Sequence, residues 1–338
     1  MLQADAMKKA WIRSFGDPDV IELIETGTPV PKPGEVLVRA TSIGMNRSDL
    51  DCRRGIYPVQ PAAPCGIGHE AAGVVVEGAG DSIFKAGDRV GTLPGSSFVK
   101  LHDYGRTAEY FTTNADWLVK TPDSVSDAEA GAIWVNYLTA YGALIDVGRL
   151  QPGEVIVIAA APGATGLAAI QFAKLAGAQV IATTRSAHKC ERLLAAGADF
   201  TVNTSTEDYE ARVLELTAGR GADFIFDPIG GPFVARHLDA VAQKGRVLLY
   251  GVLTYPEFCS FDPDVLINKH ITLRGYNVDD PFVIDRAALA KAVEYITSGL
   301  NEDRLRLIID SRFLLDEVVE AHRYAESDRQ FGKILINP

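Results

Sequence analysis

The chain has 338 residues, of which 47% are hydrophobic and 23% charged, as in an ordinary globular protein rather than a disordered one. Its formal net charge is −11 at pH 7, which disfavours a broad binding surface for nucleic acid or anionic lipid. Because a single hydrophobic core stops growing at about 250–300 residues, we expect two domains.

The four cysteines are scattered, without the close spacing of a disulfide framework, and the N-terminal residues lack the apolar core of a secretory signal. The most apolar stretch begins at Val155 but is interrupted by Pro162 and several glycines, which is not typical of a membrane-spanning helix. These features indicate a cytoplasmic protein that binds neither membranes nor nucleic acid.

The N-terminal third alternates short apolar runs with turns rich in Gly and Pro. Three of these runs, residues 36–44, 71–80 and 88–93, are predicted strands. Short strands at this spacing are typical of a compact, barrel-like β domain. The pair Ser126 and Glu129 has the spacing of a capping box and predicts a helix that continues to about residue 147.

From residue 155 onward, apolar strands and helical segments alternate. The predicted strands are residues 155–160, 179–184, 199–203, 223–227, 246–251 and 270–278. Such alternation requires parallel strands joined by helical crossovers, so we predict an α/β Rossmann domain with a doubly wound sheet over residues 127–275. The tail contains two more strand-like runs around a helix near residues 315–325. Residues 276–338 are therefore assigned with residues 1–126 to the β-rich domain.

A small-residue loop follows the strand at 155–160. Its sequence, APGATG over residues 161–166, is an A-x-G-x-x-G variant of the dinucleotide-binding fingerprint. Glycine lets the backbone approach a pyrophosphate, and the following helix directs its N–H groups and positive dipole end at the phosphates. The residues predicted to bind cofactor in this loop are Ala161, Gly163, Ala164, Thr165 and Gly166. Gly251, at the end of a later strand, is also predicted to bind cofactor.

The position about 20 residues beyond this loop distinguishes NAD from NADP. An acidic residue there would bind the ribose 2′-hydroxyl, but this chain has Arg185, Ser186 and Lys189 instead. A 2′-phosphate would find a forked guanidinium, a hydroxyl and an ammonium as donors. The alternative is that Arg185 and Lys189 are solvated residues at the start of a helix. We predict NADPH as the cofactor.

Several segments together resemble the medium-chain dehydrogenase/reductase superfamily over nearly the whole chain. They are PKPGEVLVRATSIGMNRSD, GIGHEAAGVV, FKAGDRV, WVNYLTAYGAL, the phosphate loop and FGKILI. The resemblance implies a GroES-like β-barrel domain, a Rossmann domain and an active site in the cleft between them. The first of these corresponds to residues 1–126 and 276–338.

Zinc alcohol dehydrogenases of this superfamily bind a catalytic metal through a Cys, the His of a G-H-E motif and a third Cys or acid. Here His69 and Glu70 stand in that motif, but Asn46 occupies the place of the Cys and Val135 that of the third ligand. A catalytic zinc needs three protein ligands. The structural-zinc loop of these enzymes carries four cysteines, and residues 88–108 contain none. We therefore predict no metal.

The remaining pattern resembles the zinc-free quinone oxidoreductase branch, which it matches at Asn46, Tyr57 in RRGIYP and Thr139. The resemblance implies that Asn46 and Tyr57 line the substrate side and that Thr139 contacts the nicotinamide end. Each also has a structural alternative: Asn46 as a helix cap, Tyr57 as a packed ring and Thr139 as a helix-interior residue.

These residues predict an NADPH-dependent reductase that transfers hydride to quinones or α,β-unsaturated carbonyls without zinc. Two alternatives stay open at this point: a zinc-dependent alcohol dehydrogenase with atypical ligands, and a cofactor-binding protein with a structural or regulatory role. The last strand of the Rossmann sheet, at residues 270–278, has an edge that can pair with a copy of itself. A homodimer is expected, as is common among the related enzymes.

Overall fold

The computed structural model describes residues 6–59, 61–78, 83–94, 105–278 and 285–338. The chain divides into two compact units, one of Met1–Val135 with Phe282–Pro338 and one of Asn136–Pro281. The sequence predicts these boundaries at residues 126/127 and 275/276. No helix among the described residues is both long enough and apolar enough to cross a membrane.

Strands and helices are numbered in chain order over the described residues. The strands are β1 (Ala6–Ile12), β2 (Ile21–Gly27), β3 (Glu35–Gly44), β4 (Cys65–Gly66), β5 (Glu70–Glu77), β6 (Arg89–Thr92), β7 (Tyr110–Asn114), β8 (Leu118–Lys120), β9 (Val155–Ile158), β10 (Gln179–Thr184), β11 (Phe200–Asn203), β12 (Ala222–Asp227), β13 (Val241–Leu249), β14 (Thr272–Gly275), β15 (Ile309–Leu314) and β16 (Lys333–Asn337). The α-helices are α1 (Arg47–Arg54), α2 (Trp134–Tyr141), α3 (Ala164–Leu175), α4 (Ala187–Ala195), α5 (Tyr209–Leu216), α6 (Phe233–Ala240), α7 (Asp264–Lys269), α8 (Arg286–Asn301) and α9 (Val318–Glu326).

The first unit is built from two sheets. A three-stranded sheet has the order β2-β1-β4, and a seven-stranded sheet has the order β15-β16-β3-β5-β6-β8, with β7 also pairing with β3. β3 is central because it pairs with β16, β5 and β7. Its side chains Val36, Val38 and Ile43 are buried in the core of this unit. Strand β16, from the end of the chain, therefore lies beside β3, which is near its start.

The predicted helix start at Ser126 is wrong. Residues 126–132 form turns and a short 3-10 helix (Ala130–Ala132), and α2 begins at Trp134. The Ser126 hydroxyl donates a 2.7 Å hydrogen bond to the Glu129 carboxylate. A Cβ on Gly131 would lie 2.7 Å from Ser42 O, so this segment packs against the backbone of β3. That tertiary contact replaces the local helix that the capping pattern favours.

The second unit contains a six-stranded sheet of order β11-β10-β9-β12-β13-β14, with every neighbouring pair parallel. Starting from β9, the chain adds β10 and β11 on one side of the sheet and then returns to add β12, β13 and β14 on the other side. The direction in which strands are added therefore reverses between β9 and β12. All four residues of β9 are buried, because helices cover both faces of a parallel sheet. The predicted α/β Rossmann fold is confirmed.

Strands 155–160 and 270–278 are shorter than predicted, ending at Ile158 and beginning at Thr272. His270 has a left-handed backbone conformation, with φ of 53°, which ends α7 and excludes that residue from the strand. The last two residues of the predicted strand 71–80 lie outside the described residues. Helices α7 and α8 were not predicted, although Asp285 caps α8 by accepting hydrogen bonds from the Ala287 and Ala288 N–H groups.

A buried histidine makes the stability of the first unit depend on pH. His322 in α9 is 1% exposed, and burial together with the nearby Arg53 lowers its pKa from 6.5 to about 4, against the opposing effect of Asp49. The folded pKa is the lower one, so between pH 6.5 and about 4 the unfolded chain binds the proton and the folded chain does not. Stability is therefore complete above pH 6.5 and falls as the pH falls through this window.

We expect the free energy of unfolding to drop by about 2 kcal/mol between pH 7 and pH 5 on account of His322 alone. His322→Gln should remove this part of the pH dependence, whereas the same substitution at His188, which is exposed, should keep it. Urea denaturation of the three proteins at both pH values measures the difference. Equal pH dependence in wild type and His322→Gln would contradict the expectation.

Candidate functional site

The loop between β9 and α3 is tied to the end of β10. The N–H of Ala160 donates to Thr183 Oγ1 at 3.2 Å and that of Ala161 to Thr183 O at 3.0 Å. Gly163 takes the N-cap position of α3 in an extended conformation, with φ of −67° and ψ of 156°. The first N–H groups of α3 have no carbonyl partner within the helix by geometry, and no acidic residue lies in its first turn. This end of α3 has the electrostatics of an anion site.

The two glycines of the loop differ in what the protein itself requires. A Cβ on Gly166 would lie 2.5 Å from Ala161 O and 2.7 Å from Ala161 Cα, so the contact between helix and loop needs glycine. A Cβ on Gly163 would meet nothing closer than Ala160 O at 3.7 Å, an ordinary van der Waals distance. Packing within the chain therefore explains Gly166 but not Gly163. A pyrophosphate lying against the backbone would explain it, so the loop fits the predicted cofactor.

The structure places Arg185, Ser186 and Lys189 together at the carboxyl end of β10. Arg185 is exposed, and Ser186 is the N-cap residue of α4, yet its side chain makes no capping hydrogen bond. Lys189, in the first turn of α4, is 3% exposed, which is not the environment of a solvated surface lysine. A guanidinium, a hydroxyl and an ammonium are thus grouped at the end of one strand.

A turn follows β12 at its carboxyl end, and the sequence analysis did not single it out. The Asp227 carboxylate accepts hydrogen bonds from Ile229 N at 2.7 Å and Gly230 N at 2.9 Å. A Cβ on the predicted cofactor residue Gly251 would lie 2.8 Å from Pro228 O, so the segment after β13 packs directly on this turn. The sheet reverses its strand order between β9 and β12, and ligands of such sheets bind at the carboxyl ends of the strands there.

Behind Asp227 lie two buried side chains, His237, which faces the carboxylate, and Tyr209, which contacts His237. His237 Nε2 lies 3.4 Å from Asp227 Oδ2, and His237 Nδ1 lies 2.7 Å from the Tyr209 hydroxyl. Burial, with the nearby Asp227 charge, raises the pKa of Tyr209 well above its usual value, so the hydroxyl keeps its proton. Thr139, the remaining predicted cofactor residue of this unit, is 8% exposed in α2.

In the first unit, the side chain of Asn46 is surrounded by partners. Its Oδ1 accepts a hydrogen bond from Lys333 Nζ at 2.7 Å, and its Nδ2 donates to Gly44 O and to Glu70 Oε2, both at 3.1 Å. Its backbone N–H donates to Asp49 Oδ2 at 2.7 Å, which closes the first turn of α1. Both amide hydrogens of Asn46 are thus engaged within the protein.

Glu70 and Lys333 form a buried ion pair at the centre of this arrangement. Lys333 Nζ lies 2.7 Å from Glu70 Oε2, and the two side chains are 2% and 1% exposed. The other carboxylate oxygen, Oε1, accepts a 2.9 Å hydrogen bond from Val135 N at the start of α2. A Cβ on Gly44 would lie 2.0 Å from Gly131 O and 2.9 Å from both Lys333 Cε and Glu70 Oε2, so the close packing of the backbone and of the pair needs glycine at the end of β3.

His69 lies beside this network and connects it to Tyr57. Its Nδ1 is 2.6 Å from Asp49 Oδ1, its Nε2 faces Cys52 Sγ at 3.8 Å, and its ring centroid is 5.8 Å from that of Tyr57. Burial raises the pKa of Asp49, but the interaction with His69 and the N–H of Asn46 outweigh it and hold that pKa below its usual value. Asp49 is therefore an ionised acceptor that orients both neighbours.

The structure brings the predicted residues together in two groups. Asn46 and Tyr57 lie on either side of the Asp49–His69 pair in the first unit. The phosphate-loop residues, the three donors after β10 and Gly251 lie at strand ends of the second. Sequence analysis missed Lys333, Asp49 and Asp227. A lysine at the start of the apolar strand KILIN was the one available signal, because charged residues are rarely buried unless paired.

Two family models match the chain: alcohol dehydrogenase GroES-like domain over residues 32–123, and zinc-binding dehydrogenase over residues 164–298. A quinone oxidoreductase of Pseudomonas aeruginosa is 31% identical over 98% of this chain and 99% of its own length. The structure of a quinone oxidoreductase from Pseudomonas syringae pv. Tomato DC3000 is 30% identical, with a TM-score of 0.89, and covers 98% of this chain and 100% of its own. Escherichia coli quinone oxidoreductase complexed with NADPH is 27% identical, with a TM-score of 0.89 and the same coverage.

The chain therefore belongs to the medium-chain dehydrogenase/reductase superfamily. Within it, the relatives place the chain in the quinone oxidoreductase-like branch, as its sequence segments predict. It is an NAD(P)-dependent oxidoreductase with a nicotinamide cofactor. Among the residues that the structure describes, no group of three or more His, Cys, Asp or Glu side chains is placed to hold a metal ion.

The two loop glycines provide a matched pair of substitutions. Gly166→Ala should lower the melting temperature, since overpacking of this kind costs about 1–3 kcal/mol. Gly163→Ala should leave the melting temperature of the cofactor-free protein nearly unchanged, yet weaken nicotinamide cofactor binding by about tenfold, because its Cβ would occupy the space of the pyrophosphate. Thermal denaturation and fluorescence titration measure the two effects. Unchanged cofactor affinity in folded Gly163→Ala would show that the loop does not bind the pyrophosphate.

Proposed function

We propose that this protein is an NADPH-dependent reductase that transfers hydride to quinones or α,β-unsaturated carbonyl compounds without zinc. The observation that carries the proposal is the Lys333 ammonium, which lies 2.7 Å from both Asn46 Oδ1 and Glu70 Oε2. By the family resemblance, Asn46 stands where zinc enzymes have a metal-ligating Cys. A fixed cation therefore already contacts the residue in the first ligand position.

The donor set does not fit a catalytic zinc. A zinc ion needs three nitrogen, sulfur or oxygen ligands and an open coordination position. His69 has Asp49 against one ring nitrogen and Cys52 facing the other, and Val135 offers an apolar side chain. The ammonium of Lys333 would repel a second cation next to Asn46. The proposed reaction therefore uses no zinc.

The chemistry proposed here follows from these residues. Reduction of an isolated carbonyl is helped by a metal ion that polarises its oxygen. A conjugated acceptor takes hydride at its far carbon and delocalises the developing charge over its conjugated carbon and oxygen atoms. The bound cofactor supplies the hydride. Tyr57 is half-buried beside His69 and is the candidate donor of a hydrogen bond, and of a proton, to the substrate oxygen. Asn46 binds a substrate oxygen through Nδ2 after this nitrogen releases Gly44 O or Glu70 Oε2. Its role is to donate a hydrogen bond, and we assign donation of the proton to Tyr57 or to water.

The preference for NADPH is proposed from the residues after β10. Arg185, Ser186 and Lys189 lie together at the position where NAD-binding proteins have an acidic residue for the ribose hydroxyl. The Ser186 side chain makes no capping hydrogen bond to α4. Charge-assisted hydrogen bonds from such donors bind a 2′-phosphate. The Escherichia coli relative complexed with NADPH supports the same choice.

NADPH is expected to bind more tightly than NADH by about 1–3 kcal/mol, the range for hydrogen bonds to a charged group. Arg185→Ala should reduce NADPH affinity while leaving NADH affinity unchanged, because the guanidinium would contact only the 2′-phosphate. Arg192→Ala, a substitution one to two turns further along α4, is the control. Isothermal titration of the three proteins with each cofactor gives the six dissociation constants, and equal affinities of the wild type for both cofactors would exclude the proposed specificity.

Turnover is expected with small quinones or enones and NADPH, with little or none for primary alcohols and NADP⁺. Activity should persist in a strong chelator.

Tyr57→Phe keeps the ring and removes the hydroxyl, and kcat should fall by about 10²-fold if that hydroxyl donates in the transition state. A few-fold fall would assign the proton to water. Faster oxidation of unactivated alcohols would refute the proposed reaction, and tight NADPH binding without any turnover would favour a structural or regulatory role.

We also propose a cytoplasmic homodimer. β14 is the last strand of its sheet among the described residues, and its neighbourhood along the chain carries exposed apolar side chains. They are Val252, Tyr255, Phe258 and Ile267, with exposed fractions of 60%, 58%, 89% and 66%. An edge strand next to exposed apolar residues is suited to pairing with a second copy. A monomer mass by light scattering at micromolar concentration would argue against this assembly.

A further inference from the structure

The amide group of Asn46 has two orientations, related by a rotation that exchanges Oδ1 and Nδ2, and its surroundings distinguish sharply between them. In the orientation described here, an ammonium faces the oxygen, and a carboxylate and a carbonyl face the nitrogen. The rotated amide would place Nδ2 against the ammonium of Lys333, donor against donor. It would also place Oδ1 against Glu70 Oε2 and Gly44 O, acceptor against acceptor.

Burial strengthens this discrimination. The Lys333 and Glu70 side chains are 2% and 1% exposed, so water does not screen their charges from the amide. Both members of the pair also contact neighbouring segments, since Glu70 Oε1 accepts a hydrogen bond from Val135 N and a Cβ on Gly44 would lie 2.9 Å from Lys333 Cε. Three groups therefore act on one side-chain amide.

We propose that Lys333 and Glu70 are positioning residues, which hold the Asn46 amide in a single orientation for the substrate. This assignment rests on the function proposed above, in which Asn46 lies on the substrate side. The ammonium, at 2.7 Å from Oδ1, also polarises the amide, which makes the Nδ2 hydrogens stronger donors. Nδ2 makes two contacts of 3.1 Å, one with the Gly44 carbonyl and one with the Glu70 carboxylate. Both are longer than the 2.7 Å contact between Lys333 Nζ and Oδ1, and a substrate oxygen replaces one of them.

The test uses the double variant Lys333→Met/Glu70→Gln in the full-length protein. Removing both charges together avoids leaving one unpaired charge in the core, which would be the larger threat to folding. With its Oε1 still accepting from Val135 N, the introduced glutamine places an amide nitrogen where Glu70 Oε2 stood, so it no longer favours the orientation in which Asn46 presents Nδ2 to it. The matched control is Lys8→Met/Asp316→Asn, which removes an exposed ion pair of similar length, 2.8 Å, from the same unit.

We expect the double variant to bind NADPH within about twofold of the wild type and to lose about tenfold or more in kcat, since a misplaced group in a site costs rate rather than cofactor affinity. The same two substitutions in an Asn46→Ala background should cause no further loss of kcat, because the amide they orient is gone. A purely structural role predicts the same fold loss in both backgrounds. That result, or an unchanged kcat in the folded double variant, would overturn the assignment.

A second measurement does not depend on turnover. The side-chain amide protons of Asn46, assigned in NMR spectra by their disappearance in Asn46→Ala, should exchange slowly with solvent in the wild type. Exchange should be about tenfold faster or more in the double variant and unchanged in the exposed-pair control. Equal exchange rates in wild type and double variant would overturn the inference. If the wild type reduces no quinone or enone, the proposed function fails, while this exchange measurement still decides whether Lys333 and Glu70 hold the amide.

Discussion

The buried ion pair between Lys333 and Glu70 is the interaction on which the arrangement around Asn46 depends. It joins the last strand of the chain, β16, to β5, and through Asn46 and Val135 it reaches the starts of α1 and α2. Two desolvated charges are costly unless every remaining donor and acceptor has a partner. Here the carboxylate accepts three hydrogen bonds, from Lys333, Asn46 and Val135. The requirement for full pairing is what brings these four segments into one arrangement.

A second network of the same kind organises the Rossmann unit. Asp227 accepts hydrogen bonds from two backbone N–H groups of the turn after β12. His237 lies 3.4 Å behind it and is hydrogen-bonded to Tyr209, and all three side chains are fully buried. The turn then receives the segment after β13 through Gly251. In both units a buried carboxylate converts the end of a strand into a rigid support. Reacting groups need this, because positions must hold to within a fraction of an ångström for efficient transfer.

The resemblance to zinc enzymes suggests that His69 is a metal ligand, whereas its neighbours do not form a zinc site. The hydrogen-bond partners of His69 and Glu70 explain this difference. The G-H-E motif is retained, yet its histidine is oriented by Asp49 and its glutamate is paired with a lysine. A motif therefore identifies a place in the fold without identifying its chemistry. The side chains that converge on that place, Asn46 and Lys333 above all, come from segments far apart in the chain.

Residue patterns by themselves determined the fold class and the alternation of strands and helices in the Rossmann unit, and they singled out the loop after β9 and the polar residues after β10 as candidates for cofactor binding. Each depends on neighbours in sequence: the alternation of strand and helix, the turn chemistry of glycine and the first turn of a helix. The tertiary structure alone decided that Ser126 does not begin a helix, because Gly131 packs on β3. It also decided that Asn46, Glu70 and Lys333 meet. A buried charge is stable only beside its partner, and a partner 263 residues away along the chain leaves no periodic signal in the sequence.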